Sequence, residues 1–270
     1  MKMNLYKAFL GLGITAFILG IDVRAENEIK LELKEPGKFY IATEGTYPPF
    51  NMYDKKGNLD GLEVQIVKEI CRRLELEYVP VIAKWESFIP GILAGKYDMV
   101  SDPMDITPER KKIVDFSDPW IESGGKVVVR EDSSISSNKD IINANVGVLI
   151  ATTWGKAAED LGVKNIKTYK SEMEAILDLK NKRIDAVITD AITIDYLIKE
   201  HKLPLKMLDG YLNKSSKGFV FKPGNNKLVD AVNKVLYDIK KDGTYKNIIQ
   251  EFIDPNILPS SSDERTSSVN

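Results

Sequence analysis

The sequence predicts an α/β protein of two related lobes, and three observations carry that prediction. Apolar, β-rich runs alternate with amphipathic helical runs along most of the 270 residues, the pattern of a mainly parallel sheet covered by helices. Two segments echo each other about 90 residues apart. "ILAGKYDMVSD" (residues 92–102) and "LKNKRIDAVITD" (179–190) each hold a helix end, a basic turn, an Asp, an apolar strand and a closing Asp. Finally, "SDPMD", "IATT" and "TDAIT" all stand at the carboxyl ends of expected strands. Open α/β sheets hold their ligands there, which makes the three segments neighbours across a cleft.

Taken in order, "KFYIATEG" (38–45) is a strand ending in a turn, and "YPPF" cannot continue a central strand. "YDKKGNLDG" is a turn cluster. A helix follows from about residue 62 to 74, with Val64, Val67, Ile70, Cys71 and Leu74 at helical spacing. "EYVPVIA" is a strand, "WESFIPGILAGK" a short helix and "YDMVSD" a strand. "TPER" reads as a Thr cap, Pro at the first helical position and then Glu, which starts a helix over 107–112. "GGKVVVRE" is a strand with flexible glycines before it. "NVGVLIATT" runs into a loop of small hydroxyl residues and the helix "WGKAAEDLG". "IKTYKS", "EMEAILDLKNKR", "IDAVITD" and "AITIDYLIKEHK" continue as strand, helix, strand, helix. "KGFVFKPG" is a late strand, and two helices close the fold.

Composition narrows the function. With 38 basic against 40 acidic residues and no basic run, nucleic acid is not an expected partner. One cysteine, Cys71, excludes an intrachain disulfide and reads as a buried small hydrophobe. One histidine, His201, excludes a His-based triad or a His-rich metal site, and neither metal nor cofactor is expected. "MKMNLYK", the apolar "AFLGLGITAFILGI" and "DVRAE", with Val23 and Ala25 at the −3 and −1 positions, match a signal peptide over 1–25. An uncleaved anchor is the alternative. The chain is thus expected to be exported to the periplasm, and the Ser-rich 259–270 to be a disordered tail.

Several strand-end residues suit a zwitterion. Arg110 can hold a carboxylate through two parallel hydrogen bonds, although a capped helix start also explains it. Thr152 and Thr153 open a helix whose free N–H groups favour an anion, although capping accounts for one of them. Asp190 can accept from an ammonium or cap the next helix. Tyr47 and Trp85 can clamp an apolar part of a ligand or simply pack. Glu44 can face the same pocket and suit a cationic or amide side chain. Asp98 and Asp185 read as turn acids.

The runs "FYIATEGTYPPFNMYDKKGNLDGLEVQIVKEICRRL" and "GILAGKYDMVSDPMDITPERKKIVDFSDPW" closely resemble the periplasmic amino-acid-binding proteins of ABC importers, solute-binding family three. Similarity continues through "VGVLIATTWGKAA", "RIDAVITD" and "DGTYKNII". The specific signal is the combination "GKYD…ITPERKK…VDFSDP". The resemblance implies a periplasmic-binding-protein-like fold of type II, two α/β lobes joined by two crossover strands that close on a ligand. The expected boundaries are 26–125 with 218–258 for one lobe and 126–217 for the other. It implies a monomer that captures a polar or basic amino acid, or a derivative, and delivers it to a membrane ABC permease without catalysis. It gives Arg110 the ligand carboxylate with help from the Thr153 N–H, Asp190 the α-amino group, Tyr47 and Trp85 the walls, and Glu44 the side chain.

The chain departs from the family in three places. Pro103 and Asp105 stand where small or hydroxyl residues are usual, and Ala151 replaces a glycine. Asp105 would partly neutralise Arg110 or add an ammonium acceptor, which admits an N-substituted or dicationic ligand. Cyclohexadienyl dehydratases share the fold and a "TDAIE"-like motif. Here the motif reads "TDAIT", with Thr193, a poor proton donor, in the acid's place. A free-standing sensory domain is a third reading.

Overall fold

The computed structural model describes residues 31–259; the expected signal peptide, and the tail apart from Pro259, lie outside them. The first half runs β1 (Lys38–Thr43), β2 (Met52–Tyr53), β3 (Leu59–Asp60), α1 (Leu62–Arg73), β4 (Glu77–Ile82), α2 (Phe88–Leu93), β5 (Met99–Asp105), α3 (Pro108–Lys111), β6 (Asp115–Phe116) and β7 (Ile121–Arg130). There follow β8 (Asn145–Leu149), α4 (Thr153–Leu161), β9 (Asn165–Tyr169), α5 (Glu172–Lys180), β10 (Ala186–Asp190), α6 (Ala191–His201), β11 (Leu205–Met207), β12 (Asn213–Phe221), α7 (Asn226–Lys241) and α8 (Thr244–Phe252).

One sheet organises the fold, in the order β4-β1-β5-β12-β7-β10-β8-β9. Its two ends are parallel: β4 with β1, β1 with β5, and β10 with β8, β8 with β9. Its middle is antiparallel, because β12 and β7 run against each other and against their outer neighbours. Parallel strands need long crossovers, and the helices supply them. α1 buries Leu62, Val64, Ile66, Val67, Ile70 and Cys71. Burial pushes the Cys71 thiol up to about 12, the environment of an inert core thiol. Phe39, Ile66, Ile70 and Trp120 anchor one large cluster, and Val127, Val148, Trp154 and Ile188 another.

The mixed α/β architecture matches the sequence reading, with three informative differences. β5 does not stop at Asp102 but continues to Asp105. Pro103 has no N–H to donate, and the partner strand shifts register between Gly218 and Val220, which accommodates it. β12 starts at Asn213, before the expected lysine, and pairs Lys217 with Asp105. The glycines at 124 and 125 do not precede a strand; they lie inside β7, paired with Lys214 and Asn213. A Cβ on Gly124 would fall 2.3 Å from the Asn213 carbonyl oxygen, and one on Gly125 2.9 Å from the Trp154 ring. These glycines serve close approach. The small strands β2, β3, β6 and β11, too short to show a period, escape sequence reading.

Candidate functional site

Four strand ends meet at one cleft. From β5 come Asp102, Pro103 and Asp105; after β8 come Thr152 and Thr153; after β1 come Glu44 and Tyr47, and Trp85 follows β4. Arg110, Leu149, Trp154 and Lys217 complete the lining. The space between them is about 20 Å³ for the centre of a water molecule, room for about one water. The cleft is shut by bonds that cross it. Trp85 Nε1 and Arg110 Nη2 both donate to the Ala151 carbonyl at 3.3 Å, and Thr153 donates to Asp105 Oδ2. Ala151 holds φ +58°, the left-handed region that glycine adopts freely. That explains why a glycine suits this turn.

Arg110 sits on α3, whose Thr107 cap accepts from the Arg110 N–H at 3.2 Å. The capped helix start and the cleft position are both present. Its guanidinium lies 5.5 Å from the centre of the Trp85 ring and donates through Nη1 to the Asp105 carbonyl at 2.9 Å. Among the described residues it forms no ion pair. Burial lowers its pKa from the ordinary arginine value, partly offset by the charge of Asp105. Thr152 precedes α4 but does not cap it; its hydroxyl turns back to the Leu149 carbonyl at 2.7 Å. The first N–H groups of α4 are therefore left without a side-chain cap beside the cleft.

The acid side of the cleft is layered. Glu44 Oε1 accepts from the Trp85 N–H at 2.8 Å, and Asp102 Oδ2 accepts from the Glu44 N–H at 2.8 Å. Burial raises the pKa of Glu44, and burial with the charges of Glu63 and Glu44 raises that of Asp102 well above the usual range. Beneath them Glu63 is fully buried and takes hydroxyl bonds from Thr43 and Ser101, each 2.8 Å. Burial brings it up to about 7. A raised carboxyl pKa means that the folded state keeps a proton the unfolded chain has released. Wild-type stability should thus fall, relative to Glu63→Gln, between about pH 4.5 and pH 7, by up to about 1.4 kcal/mol per pH unit. Urea unfolding of both proteins across that window checks it; parallel profiles would refute a buried, protonated Glu63.

Asp190 is the expected site residue whose surroundings differ most from expectation. It caps α6, accepting from the Ile192 N–H at 2.9 Å and from Ser123 Oγ at 2.8 Å through the same oxygen. Its other oxygen stands 3.0 Å from Lys217 Nζ. Asp190 is completely buried and is absent from the cleft lining; Lys217 stands there instead. Lys217 also donates to Asp105 Oδ1 at 2.7 Å, and its ammonium lies 5.3 Å from the Trp154 ring centre. Burial lowers the pKa of Lys217, but the charges of Asp105 and Asp190 outweigh it and hold it above the ordinary lysine value. Burial likewise opposes ionisation of Asp105, yet Lys217, Thr153 and Ser215 keep its pKa below the usual one. Sequence reasoning missed Lys217, Asp102 and Trp154. Asp98 and Asp185 are turn acids, accepting backbone N–H bonds from Tyr40 and Asn145.

The family model of bacterial extracellular solute-binding proteins, family 3, matches residues 39–255. The L-cystine-binding protein TcyJ of Escherichia coli K12 is 27% identical over 251 residues, covering 91% of this chain and 94% of that protein. The ABC transporter arginine-binding protein 1 of the same strain is 30% identical over 221 residues, covering 80% and 90%. Among solved structures, an ancestral arginine-binding protein bound to arginine superposes with a TM-score of 0.74 at 34% identity, over 81% of this chain and 99% of that one. An ancestral amino-acid-binding protein, described as a precursor of cyclohexadienyl dehydratase, gives 0.76 at 32%, over 81% and 96%.

Proposed function

Since this chain belongs to the bacterial extracellular solute-binding proteins of family 3, we propose that it captures a polar or basic amino acid, or a derivative of one, by its carboxylate and delivers it to an ABC permease. The observation that carries this reading is Arg110. A guanidinium is half-buried against a tryptophan, bonded among the described residues only to main-chain carbonyls, and set beside the uncapped start of α4. A carboxylate supplies the charge that this cation lacks. Glu44, across the same cleft, suits a cationic or amide end of the ligand. Relatives named for arginine and cystine fit that class.

The protein acts outside the cytoplasm in this reading, after removal of its leader, as a monomeric carrier without chemistry of its own. The proposed lobes are 26–125 with 218–258, of which the structure describes residue 31 onward, and 126–217, joined through the paired strands β7 and β12. Among the described residues no helix is long and apolar enough to cross a membrane. A thermal-shift screen of amino acids, their derivatives, prephenate and arogenate tests the reading. A specific ligand at 100 times its Kd should stabilise by about 2.7 kcal/mol. Turnover of prephenate or arogenate, lost on mutating Arg110, would replace the carrier with an enzyme.

Closure should also be measurable. Because the cleft as described holds about one water, a ligand can enter only after the bonds from Ala151 and Asp105 across it part. Small-angle scattering of the ligand-free protein should show a larger radius of gyration than at ligand saturation. Identical profiles would remove the closing-cleft mechanism.

A further inference from the structure

Both acids at the inner end of the cleft, Asp190 and Asp105, face the ammonium of Lys217. Asp190 spends one oxygen on Ser123 and the Ile192 N–H, and its other faces the Lys217 ammonium at 3.0 Å. Asp105 Oδ1 takes Lys217 and Ser215, and its Oδ2 takes Thr153 while the cleft is shut. Both acids are buried, at 0% and 5% exposure, and Lys217 is 2% exposed. The cleft therefore ends on a cation where the resemblance leads one to expect a carboxylate. A second ammonium there would meet Lys217 at close range, beside two acids that already share its charge. Displacing Lys217 instead would strand a buried charge.

We propose that Lys217 is a specificity-determining residue that fills the ammonium position of this cleft, so that the ligand is an amino acid whose α-nitrogen is uncharged, as in an Nα-acyl amino acid. The proposal rests on the carboxylate-capture reading above and refines it. An ammonium has three N–H donors, and two acids engage two of them. The third can serve the carbonyl oxygen of an acyl group, which an α-ammonium lacks. Asp105 belongs to the same device. It is the acid that, with Asp190, makes a fully buried lysine tolerable, and it stands where the family places small or hydroxyl residues.

The test uses matched pairs: arginine, lysine, histidine and cystine, each free and Nα-acetylated, titrated calorimetrically into the leaderless protein. The acetylated member of at least one pair should bind tenfold or more tighter than its free form. The double variant Asp105→Ser/Lys217→Ser, which removes one charge of each sign and leaves Asp190 to be paired by the ligand, should reverse that preference. If it does not fold, Lys217→Arg keeps the charge but widens the head group, and should weaken the acetylated ligand by tenfold or more. Free amino acids binding wild type as tightly as their acetylated forms, with binding lost in Arg110→Ala, would overturn the Lys217 assignment and leave carboxylate capture standing. Binding of neither set to any of these proteins would overturn both.

Discussion

Arg110→Ala is expected to weaken ligand binding by about 2–5 kcal/mol, the usual loss when one partner of a desolvated charge pair is truncated. The reason lies in what surrounds the guanidinium. The Trp85 ring and the main chain at Asp105 and Ala151 cover part of it but provide no counter-charge. A ligand carboxylate in that place depends on the guanidinium, and alanine leaves it buried alone. Arg110→Lys should also fail substantially, because an ammonium cannot reproduce the two parallel donors. Stability of the ligand-free protein should change little, since Thr107 caps α3 through the Arg110 backbone N–H, which every variant retains. Calorimetric titration reads the effect directly. Binding within about threefold of wild type, under 1 kcal/mol, would leave Arg110 as no more than part of a well-capped helix.

Asp190→Ala should act in the opposite way, on the fold before any ligand is present. The substitution removes the cap of α6, the partner of Ser123 and half of the charge that faces Lys217. Breaking a buried ion pair by removing one partner costs about 3–5 kcal/mol, and losing a cap adds about 1. Urea unfolding without ligand should show a loss of at least about 3 kcal/mol. A residue that served only to receive a ligand ammonium would leave ligand-free stability untouched. A change below about 1 kcal/mol would therefore mean that the Asp105–Lys217–Asp190 arrangement contributes no structural stability.

The difference between these two residues shows how far the sequence could be read. Arg110 was legible because its signals are local: Thr107, Pro108 and Glu109 announce the turn of helix that carries it. α1 was legible for the same reason, its bounds matching within a residue because its apolar positions repeat at helical spacing. Lys217 was not. Its partner Asp105 is 112 positions away, and the pairing depends on β12 reaching back to Asn213 and β5 running on past Pro103. A lysine before "GFVF" carries no mark of that. The side-chain cap expected from one of the two threonines before α4 is not made, because the Thr152 hydroxyl turns to Leu149. Asp105 was read as a departure that would partly neutralise Arg110 or accept a ligand ammonium, and its lysine partner could not be seen from it.

The glycines of β7 bear on how the protein can move. Gly124 and Gly125 are held in register against Lys214 and Asn213, with no space for even a methyl group between the backbones at Gly124. A strand bonded that way cannot bend at its glycines like a loose joint without breaking ladder bonds. An antiparallel two-stranded ribbon does have one soft coordinate, its twist, and ribbons vary in twist more than wide sheets do. Motion between the parts that β7 and β12 connect should thus be torsional. The two halves should turn about the long axis of the ribbon like the ends of a wrung cloth, and the ladder pairing Gly125 with Asn213 and Ile121 with Lys217 should survive the stroke intact.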